Sequence, residues 1–145
     1  MVKTLIRTHD KVMSLIKTIF EDLYLLGLRV FMGCYFWYAG QSKINTWDQT
    51  LFLFKHEYAL PYVPHEIAAY AATGLEIGGA VCLFLGLFTK FASLAFLLMV
   101  TVIELFIYPD VMEHYFLMFV LGVMLLYGGG KLSLDRFFTY IFKGK

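Results

Sequence analysis

The sequence predicts an all-α membrane protein: a four-transmembrane-helix bundle with an N-terminal amphipathic interfacial helix and a short C-terminal interfacial helix. Hydrophobic residues make up 60% and charged residues 16% of the 145 residues, whereas a soluble domain has about 45–50% and about 25%. A globule of this length has too much surface for its volume to hide so many apolar side chains from water. We therefore expect a single membrane domain over residues 1–145, with the lipid bilayer as its first partner.

The first 22 residues predict a helix that lies on the membrane surface. Apolar residues recur there every three to four positions, on the face opposite Lys11 and Lys17. The stripe consists of Val12, Leu15, Ile16, Ile19, Phe20 and Leu23. This pattern is typical of an amphipathic interfacial helix that leads into a first span. The segment is not a signal peptide, because the apolar run begins late and lacks a small-residue cleavage site.

Four apolar windows, separated by charges, are the predicted spans. They cover approximately residues 23–42, 67–89, 91–109 and 115–130, close to the ~20 residues that cross ~30 Å of hydrocarbon. The first three windows contain one charge each, namely Arg29, Glu76 and Glu104. A charge at mid-span raises the free energy of membrane insertion by about 2.5–3.5 kcal/mol, and the apolar residues of the second window nearly offset this cost. We expect that helix to be stable only when it packs against its neighbours.

The chain after the fourth window predicts a helix end and a second interfacial helix. Three consecutive glycines, residues 128–130, are expected to terminate the last span. Ser133 can then act as the N-cap of a short helix in the tail, residues 131–145. Its apolar side chains Phe137, Phe138, Ile141 and Phe142 lie among Lys and Arg residues, as at a membrane interface.

The distribution of Lys and Arg predicts the orientation. Nine of these residues lie on the side of the two chain ends, and only Lys43 and Lys55 lie on the opposite side. Because the cytoplasmic segments of membrane proteins are enriched in Lys and Arg, we expect a multi-pass protein with both termini cytoplasmic. The net charge of +1 argues against nucleic acid as a partner.

The segment of residues 43–66 is the only long predicted loop, and it is rich in aromatic residues. Trp47, Phe52, Phe54, Tyr58 and Tyr62 lie in it. Two interpretations stay open: the segment folds over the mouth of the bundle, or its aromatic side chains only anchor it at the headgroups. The histidines show no metal-ligand spacing. Cys34 and Cys82 lie within apolar windows and are interpreted as packing residues.

The second span carries two sets of small residues on opposite faces. Gly74, Gly78, Cys82 and Gly86 recur every four residues, the pattern that lets a neighbouring helix approach closely. Glu76 lies on the other face, which is also built of small residues. We therefore expect this helix to have neighbours on both sides, with Glu76 pointing into one of the two contacts.

Two acidic residues within spans are candidates for function, because ionisable groups inside a membrane are functional by default. Counted from the inner boundaries of their windows, Glu76 and Glu104 both lie at about 20 Å depth. We expect the two carboxyls to share one site and to titrate as a coupled pair, with Glu76 protonated at neutral pH. The alternative is that Lys43 or Arg29 reaches Glu76 and keeps it charged. Tyr38 lies near that level and Lys43 above it. Arg29 lies lower, where it can snorkel or donate a hydrogen bond from below.

Four motifs in order resemble the DoxX family of small four-span bacterial membrane proteins, over roughly residues 23–138. They are Gly40-Gln41-Ser42-Lys43, Glu76-Ile77-Gly78-Gly79, Leu85-Gly86-Leu87-Phe88-Thr89-Lys90 and Gly128-Gly129-Gly130-Lys131-Leu132-Ser133-Leu134-Asp135. The last motif resembles the family pattern Gly-Pro-Gly-x-x-Ser-Leu-Asp, with Gly129 in place of the proline.

The resemblance implies a helical bundle in the bacterial inner (cytoplasmic) membrane that is associated with redox systems. Some relatives are the membrane subunit of a thiosulfate:quinone oxidoreductase, and others belong to complexes that handle thiol or oxidative stress. Lys43, Glu76, Gly79, Ser133 and Asp135 carry over as pattern residues without assigned roles.

Two functional hypotheses follow from the residues together with the resemblance. The first is a redox-associated, quinone-linked subunit with an outward-facing polar pocket around Glu76. In it, Tyr38, Lys43, Glu76 and His114 are candidates for binding a quinone, and Glu76, Glu104 and Lys43 are candidates for catalysis. The second is a non-enzymatic assembly or anchoring partner of another protein complex. Either hypothesis implies a protein partner or a homo-oligomer, and whether the chain is an enzyme stays open.

Overall fold

The computed structural model describes residues 2–143, and every regular element in this part of the chain is a helix. The elements are α1 (Val2–Asn45), α2 (Trp47–Leu53), a π-helix (Phe54–Tyr58), α3 (His65–Leu85), α4 (Thr89–Phe106), α5 (Met112–Tyr127) and α6 (Leu134–Lys143). The predicted all-α class is therefore confirmed. Gly144 and Lys145, at the end of the predicted interfacial tail, lie outside the described residues.

Two helices in the described part of the chain, α3 and α4, are long and apolar enough to cross a membrane by length and composition. Helix α5 is apolar but shorter. Helix α1 is long enough, but its many charged residues, Arg29 among them, lower its mean hydropathy. That four helices cross the membrane therefore stays a prediction.

Helix α1 runs without a break through residue 22, the predicted boundary between the interfacial helix and the first span. The residues around this point contain neither Gly nor Pro, so nothing in the local sequence ends the helix. The apolar stripe before the boundary is exposed at Val12, Ile16, Ile19 and Phe20, while the side chain of Leu15 lies outside the described ones.

Helix α3 ends at Leu85, four residues before the end of the predicted second span. Gly86 takes a left-handed conformation with φ of 65°, which a glycine adopts without steric cost. Its N–H donates to the carbonyl of Leu83, and the N–H of Leu87 donates to the carbonyl of Cys82. Gly128 ends α5 in the same region of the molecule, as predicted.

The long helices pack in chain order, α1 against α3, α3 against α4 and α4 against α5. At the centre of the core, the rings of Phe36 and Phe96 stack with their centroids 3.7 Å apart. We call the side with α2, the π-helix and the α4–α5 turn the loop end. We call the side with residues 86–88 and 128–133 the glycine end.

The small residues of α3 pack mainly on the face of Glu76. Thr73, Glu76, Gly79, Ala80 and Leu83 are buried. The first two members of the opposite ridge, Gly74 and Gly78, are exposed, and a Cβ added at either would meet nothing within 4 Å. The prediction that α3 has neighbours on both sides is therefore wrong within the described part of this chain, because α1 and α4 both pack on the Glu76 side.

The aromatic segment before α3 folds back onto the helices and is mostly helical itself. Phe54 of the π-helix is buried against Ala68 and Ala69 of α3. Trp47 and Tyr58 are partly buried against the same cluster. Of the two interpretations left open by the sequence, the structure favours a segment folded over the loop end of the bundle.

Candidate functional site

An ion pair joins α1 to α3 near the loop end. Lys43 Nζ donates a hydrogen bond of 2.7 Å to Oε1 of Glu76. Glu76 is only 4% exposed, and its second carboxylate oxygen, Oε2, is buried without a hydrogen-bond partner among the described residues. Buried polar atoms normally have a partner, so this oxygen needs an explanation.

Glycine at position 40 sets the distance between the two helices at this point. A Cβ built on Gly40 would stand 2.7 Å from Cδ1 of Ile77 and 3.1 Å from Cβ of Glu76. Only a residue without a side chain lets α3 approach α1 so closely. Because Lys43 lies one helical turn after Gly40, the same close approach brings its ammonium group to the carboxylate of Glu76.

A pocket of about 410 Å³ lies beside this ion pair, between α3, α4 and the π-helix. Lys43 and Glu76 supply its charged groups. The remaining lining is almost entirely apolar or aromatic, and it includes Phe54, Tyr58, Leu75, Leu98, Met99 and Tyr108. A mostly apolar cavity of this size with a few convergent polar groups is the usual form of a small-molecule site.

Two tyrosines close the pocket towards the loop end. The ring of Tyr58 contacts Phe54 edge to face at 4.9 Å and Tyr108 at 5.9 Å between centroids. The hydroxyl of Tyr108, in the α4–α5 turn, donates a hydrogen bond to Glu57 of the π-helix. Burial raises the pKa of Tyr58, and the carboxylates of Glu57 and Glu76 raise it further. Tyr58 therefore stays a neutral hydrogen-bond donor and acceptor at physiological pH.

Glu104 belongs to a different arrangement. Its Oε2 lies 2.7 Å from Nδ1 of His114, and its Oε1 accepts a 2.7 Å hydrogen bond from the backbone N–H of Asp110. This carboxylate holds the turn between α4 and α5 and does not line the pocket beside Glu76.

The expectation that Glu76 and Glu104 share one site is therefore wrong, since Glu76 Oε1 accepts a hydrogen bond from Lys43 and its Oε2 accepts none from a described residue. The reason is depth. Glu76 lies nine residues from the end of α3 and Glu104 lies fifteen residues from the start of α4, which corresponds to about 14 Å and about 23 Å of helical rise. Because α3 stops at Gly86, the two side chains lie more than one helical turn apart.

The structure thus divides the residues predicted for one pocket. Lys43 and Glu76 lie together, but His114 pairs with Glu104, and Tyr38 is 72% exposed and outside the pocket. Tyr58 and Tyr108 line the pocket but are not among the site residues that the sequence predicts. Phe54 and Tyr58, spaced four residues apart, were the available signal for one aromatic face.

Arg29 lies at the glycine end, far along α1 from this pocket. Its guanidinium is 1% exposed and donates to the carbonyl of Leu132 at 2.5 Å. Nearby, both carboxylate oxygens of Asp135 accept backbone N–H groups at the start of α4, from Phe88 at 2.7 Å and Thr89 at 2.8 Å. Ser133 Oγ accepts the N–H of Arg136 at 3.3 Å, which confirms it as the N-cap of α6. These motif residues hold helix ends together.

Comparison with known proteins identifies the family but no individual relative. A search of curated proteins and a search of solved structures find no significant match. The family model for DoxX matches residues 24–109, which contain Arg29, Lys43, Glu76 and the turn at Gly86. This match covers more than half of the chain. The chain therefore belongs to the DoxX family, and it is a membrane protein.

Proposed function

We propose that this chain is a redox-associated membrane subunit whose pocket beside Lys43 and Glu76 binds the ring of a quinone-like molecule. The observation that carries the proposal is Glu76 Oε2, a buried carboxylate oxygen that has no partner among the described residues and belongs to a wall of an apolar pocket. A buried hydrogen-bond acceptor without a partner lowers the stability of the folded protein by about 1–3 kcal/mol. A ligand that offers a hydrogen-bond donor at this wall would remove that cost.

The pocket fits such a ligand in size and in chemistry. Its volume of about 410 Å³ is within the range of about 300–1,000 Å³ that small-molecule sites occupy. Phe54, Tyr58 and Tyr108 offer faces and edges on which a flat ring can pack. The apolar side chains of α4 along the remaining wall suit a hydrophobic tail.

The ion pair provides this wall with hydrogen-bond donors and a hydrogen-bond acceptor. The ammonium of Lys43 has N–H groups beyond the one used by Glu76, and these can donate to a ring oxygen. Oε2 of Glu76 can accept from a ring hydroxyl, and the pair can hold or release a proton at this position. A bound quinone supplies two-electron chemistry coupled to protons, and the electrons come from a partner protein in this proposal.

Quenching of tryptophan fluorescence tests the proposal. Trp47 packs against the cluster that contains the pocket residue Phe54, so a Trp37→Phe background leaves one tryptophan as a reporter near the pocket. We expect saturable quenching when a short-chain benzoquinone is added to the purified protein in detergent. Glu76→Gln should weaken binding about tenfold, the effect of losing one charged hydrogen bond. Ala72→Phe, which fills the pocket, should abolish binding.

Two control variants separate the pocket from general damage. Val81→Phe places the same ring on an exposed face of α3, and Glu21→Gln neutralises an exposed carboxylate of α1 outside the pocket. Both should bind the benzoquinone like the parent protein. Absence of saturable quenching in the correctly folded parent would overturn the proposal. If a partner protein then co-purifies in fixed stoichiometry without a bound quinone, the anchoring function is the better description.

We also propose the predicted placement in the membrane: a multi-pass protein of the bacterial inner membrane with both termini cytoplasmic. The excess of Lys and Arg near the two chain ends supports this orientation. In a background without Cys34 and Cys82, a cysteine at exposed Gln49 should react with an impermeant maleimide in intact cells, and one at exposed Thr139 should not. Labelling at Thr139 under these conditions would contradict the orientation.

A further inference from the structure

A second cavity lies at the glycine end, far from the pocket beside Glu76. It is a cleft of about 600 Å³ between the start of α4, the turn after α5 and helix α6. Five charged residues line it, namely Asp22, Lys90, Lys131, Asp135 and Arg136. Gly128, Gly129 and Gly130 also line it.

The two carboxylates of the cleft are already satisfied by the protein. Both oxygens of Asp135 accept backbone N–H groups at the start of α4. Asp22 Oδ1 accepts the backbone N–H of Lys131 at 3.0 Å, and its Oδ2 lies 3.5 Å from the ammonium group of the same lysine. Both carboxylates of the cleft therefore already have partners, which are backbone N–H groups and Lys131.

Two cations are left facing the cleft. Lys90 Nζ donates to one uncharged group, the carbonyl of Leu126 at 3.0 Å, and keeps further N–H groups to donate. The guanidinium of Arg136 forms no ion pair with any side chain in the described part of the chain. Two positive charges that line one cleft attract an anion, and a guanidinium matches the oxygens of a phosphate.

The rim of the cleft is aromatic and exposed. Phe91 is 73% exposed and Tyr127 is 72% exposed, and both line the cleft. Helix α6 adds the exposed rings of Phe137 and Phe138 next to Arg136. Exposed aromatic rings beside cations are typical of the level of lipid headgroups in a membrane.

We propose that this cleft binds the phosphate group of an anionic ligand through Lys90 and Arg136. The aromatic rim favours the headgroup of an anionic phospholipid as the source, since the acyl chains would then follow the exposed apolar faces of α4 and α5. The same two cations would also hold a free phosphate, and the experiment separates the two sources. This site is independent of the pocket beside Glu76.

Native mass spectrometry of the purified protein tests the proposal. The protein is mixed in detergent with phosphatidylglycerol or with phosphatidylcholine at equal concentration, and bound lipid is counted. Each cation near a membrane surface is worth about 1 kcal/mol, so Arg136→Gln should weaken phosphatidylglycerol binding about fivefold. The double variant with Lys90→Gln should weaken it about 25-fold.

Control variants and a competition experiment with inorganic phosphate distinguish lipid binding, phosphate binding and non-specific binding. Lys55→Gln removes an exposed cation at the loop end and should bind phosphatidylglycerol like the parent. Arg136→Lys should retain most of the binding because it keeps the charge. If inorganic phosphate at 10 mM displaces the lipid and itself raises the melting temperature of the parent but not of the double variant, free phosphate occupies the site. The proposal would be overturned if the parent binds phosphatidylglycerol and phosphatidylcholine equally. It would also be overturned if the parent and the double variant bind phosphatidylglycerol equally and phosphate has no effect.

Discussion

Gly79 of α3 lies directly against the ring of Phe96 of α4. A Cβ at this glycine would stand 2.6 Å from Cζ of Phe96. The ring cannot move away easily, because Phe96 is fully buried and stacks on Phe36 at 3.7 Å. The neighbouring Gly78 differs sharply, since a Cβ there would meet nothing within 4 Å. Two adjacent glycines in one helix thus have opposite tolerance for a side chain.

This contrast predicts opposite effects of two matched substitutions. Gly79→Ala should destabilise the protein by about 1–3 kcal/mol, the usual cost of overpacking a filled core. Gly78→Ala should be neutral or slightly stabilising, because alanine is the better helix former. Thermal unfolding in detergent, followed by circular dichroism, checks both. A lower melting temperature for Gly78→Ala would show that the exposed ridge of α3 has a partner that the single chain does not contain.

Separating Lys43 from Glu76 should be costly. Lys43→Met leaves the buried carboxylate of Glu76 without a counter-charge, and breaking such a pair costs about 3–5 kcal/mol when both groups are buried. We expect the free energy of unfolding to fall by an amount near the lower limit of this range, since the Lys43 side chain is 22% exposed. The double variant Lys43→Met/Glu76→Gln should recover much of this loss. A double-mutant cycle from chemical denaturation measures the coupling, and additive effects of the two changes would contradict the ion pair.

Asp135 should stabilise the start of α4 although it lies 46 residues further along the chain than Thr89. Asp135→Ala removes the acceptor for two backbone N–H groups, a loss comparable to that of an N-cap, about 1–2 kcal/mol. Hydrogen exchange should speed up at the amides of Phe88 and Thr89. Asp48→Ala, an exposed acidic residue in the first turn of α2, is the matched control. Unchanged exchange at these two amides would contradict the cap.

The phenol of Tyr58 should titrate above the ordinary value of about 10 for tyrosine. Burial and the carboxylates of Glu57 and Glu76 both disfavour its ionised form. Because folding raises this pKa, the stabilising contribution of the neutral phenol is complete below pH ~10 and is lost as the pH rises through the folded-state value. The difference between the ultraviolet titrations of the parent and Tyr58→Phe isolates this group. Glu57→Gln should lower its pKa towards 10, and a parent value at or below 10 would contradict the buried placement.

The sequence by itself determined the long helices and several of their ends, but not α2 or the π-helix, which lie in the segment predicted as a loop. Composition and the spacing of charges predicted an all-α membrane chain, and both features are local, so no tertiary contact was needed to see them. Gly128 and Ser133 were also readable from the sequence, because a glycine after a helix and a serine before one act through the nearest backbone groups. The motifs around Lys43, Glu76 and Gly86 were sufficient to recognise the family.

Only the tertiary structure decided which side chains meet. Helical periodicity separates the Gly78 face of α3 from the Glu76 face, but it does not say which face the neighbouring helices occupy. The left-handed turn at Gly86 ends α3 four residues early and thereby moves Glu76 out of the level of Glu104. Gly40 then lets α1 approach closely enough for Lys43 to bind the carboxylate. The partner of a buried charge depends on helix ends and helix contacts together, and those are properties of the packed bundle.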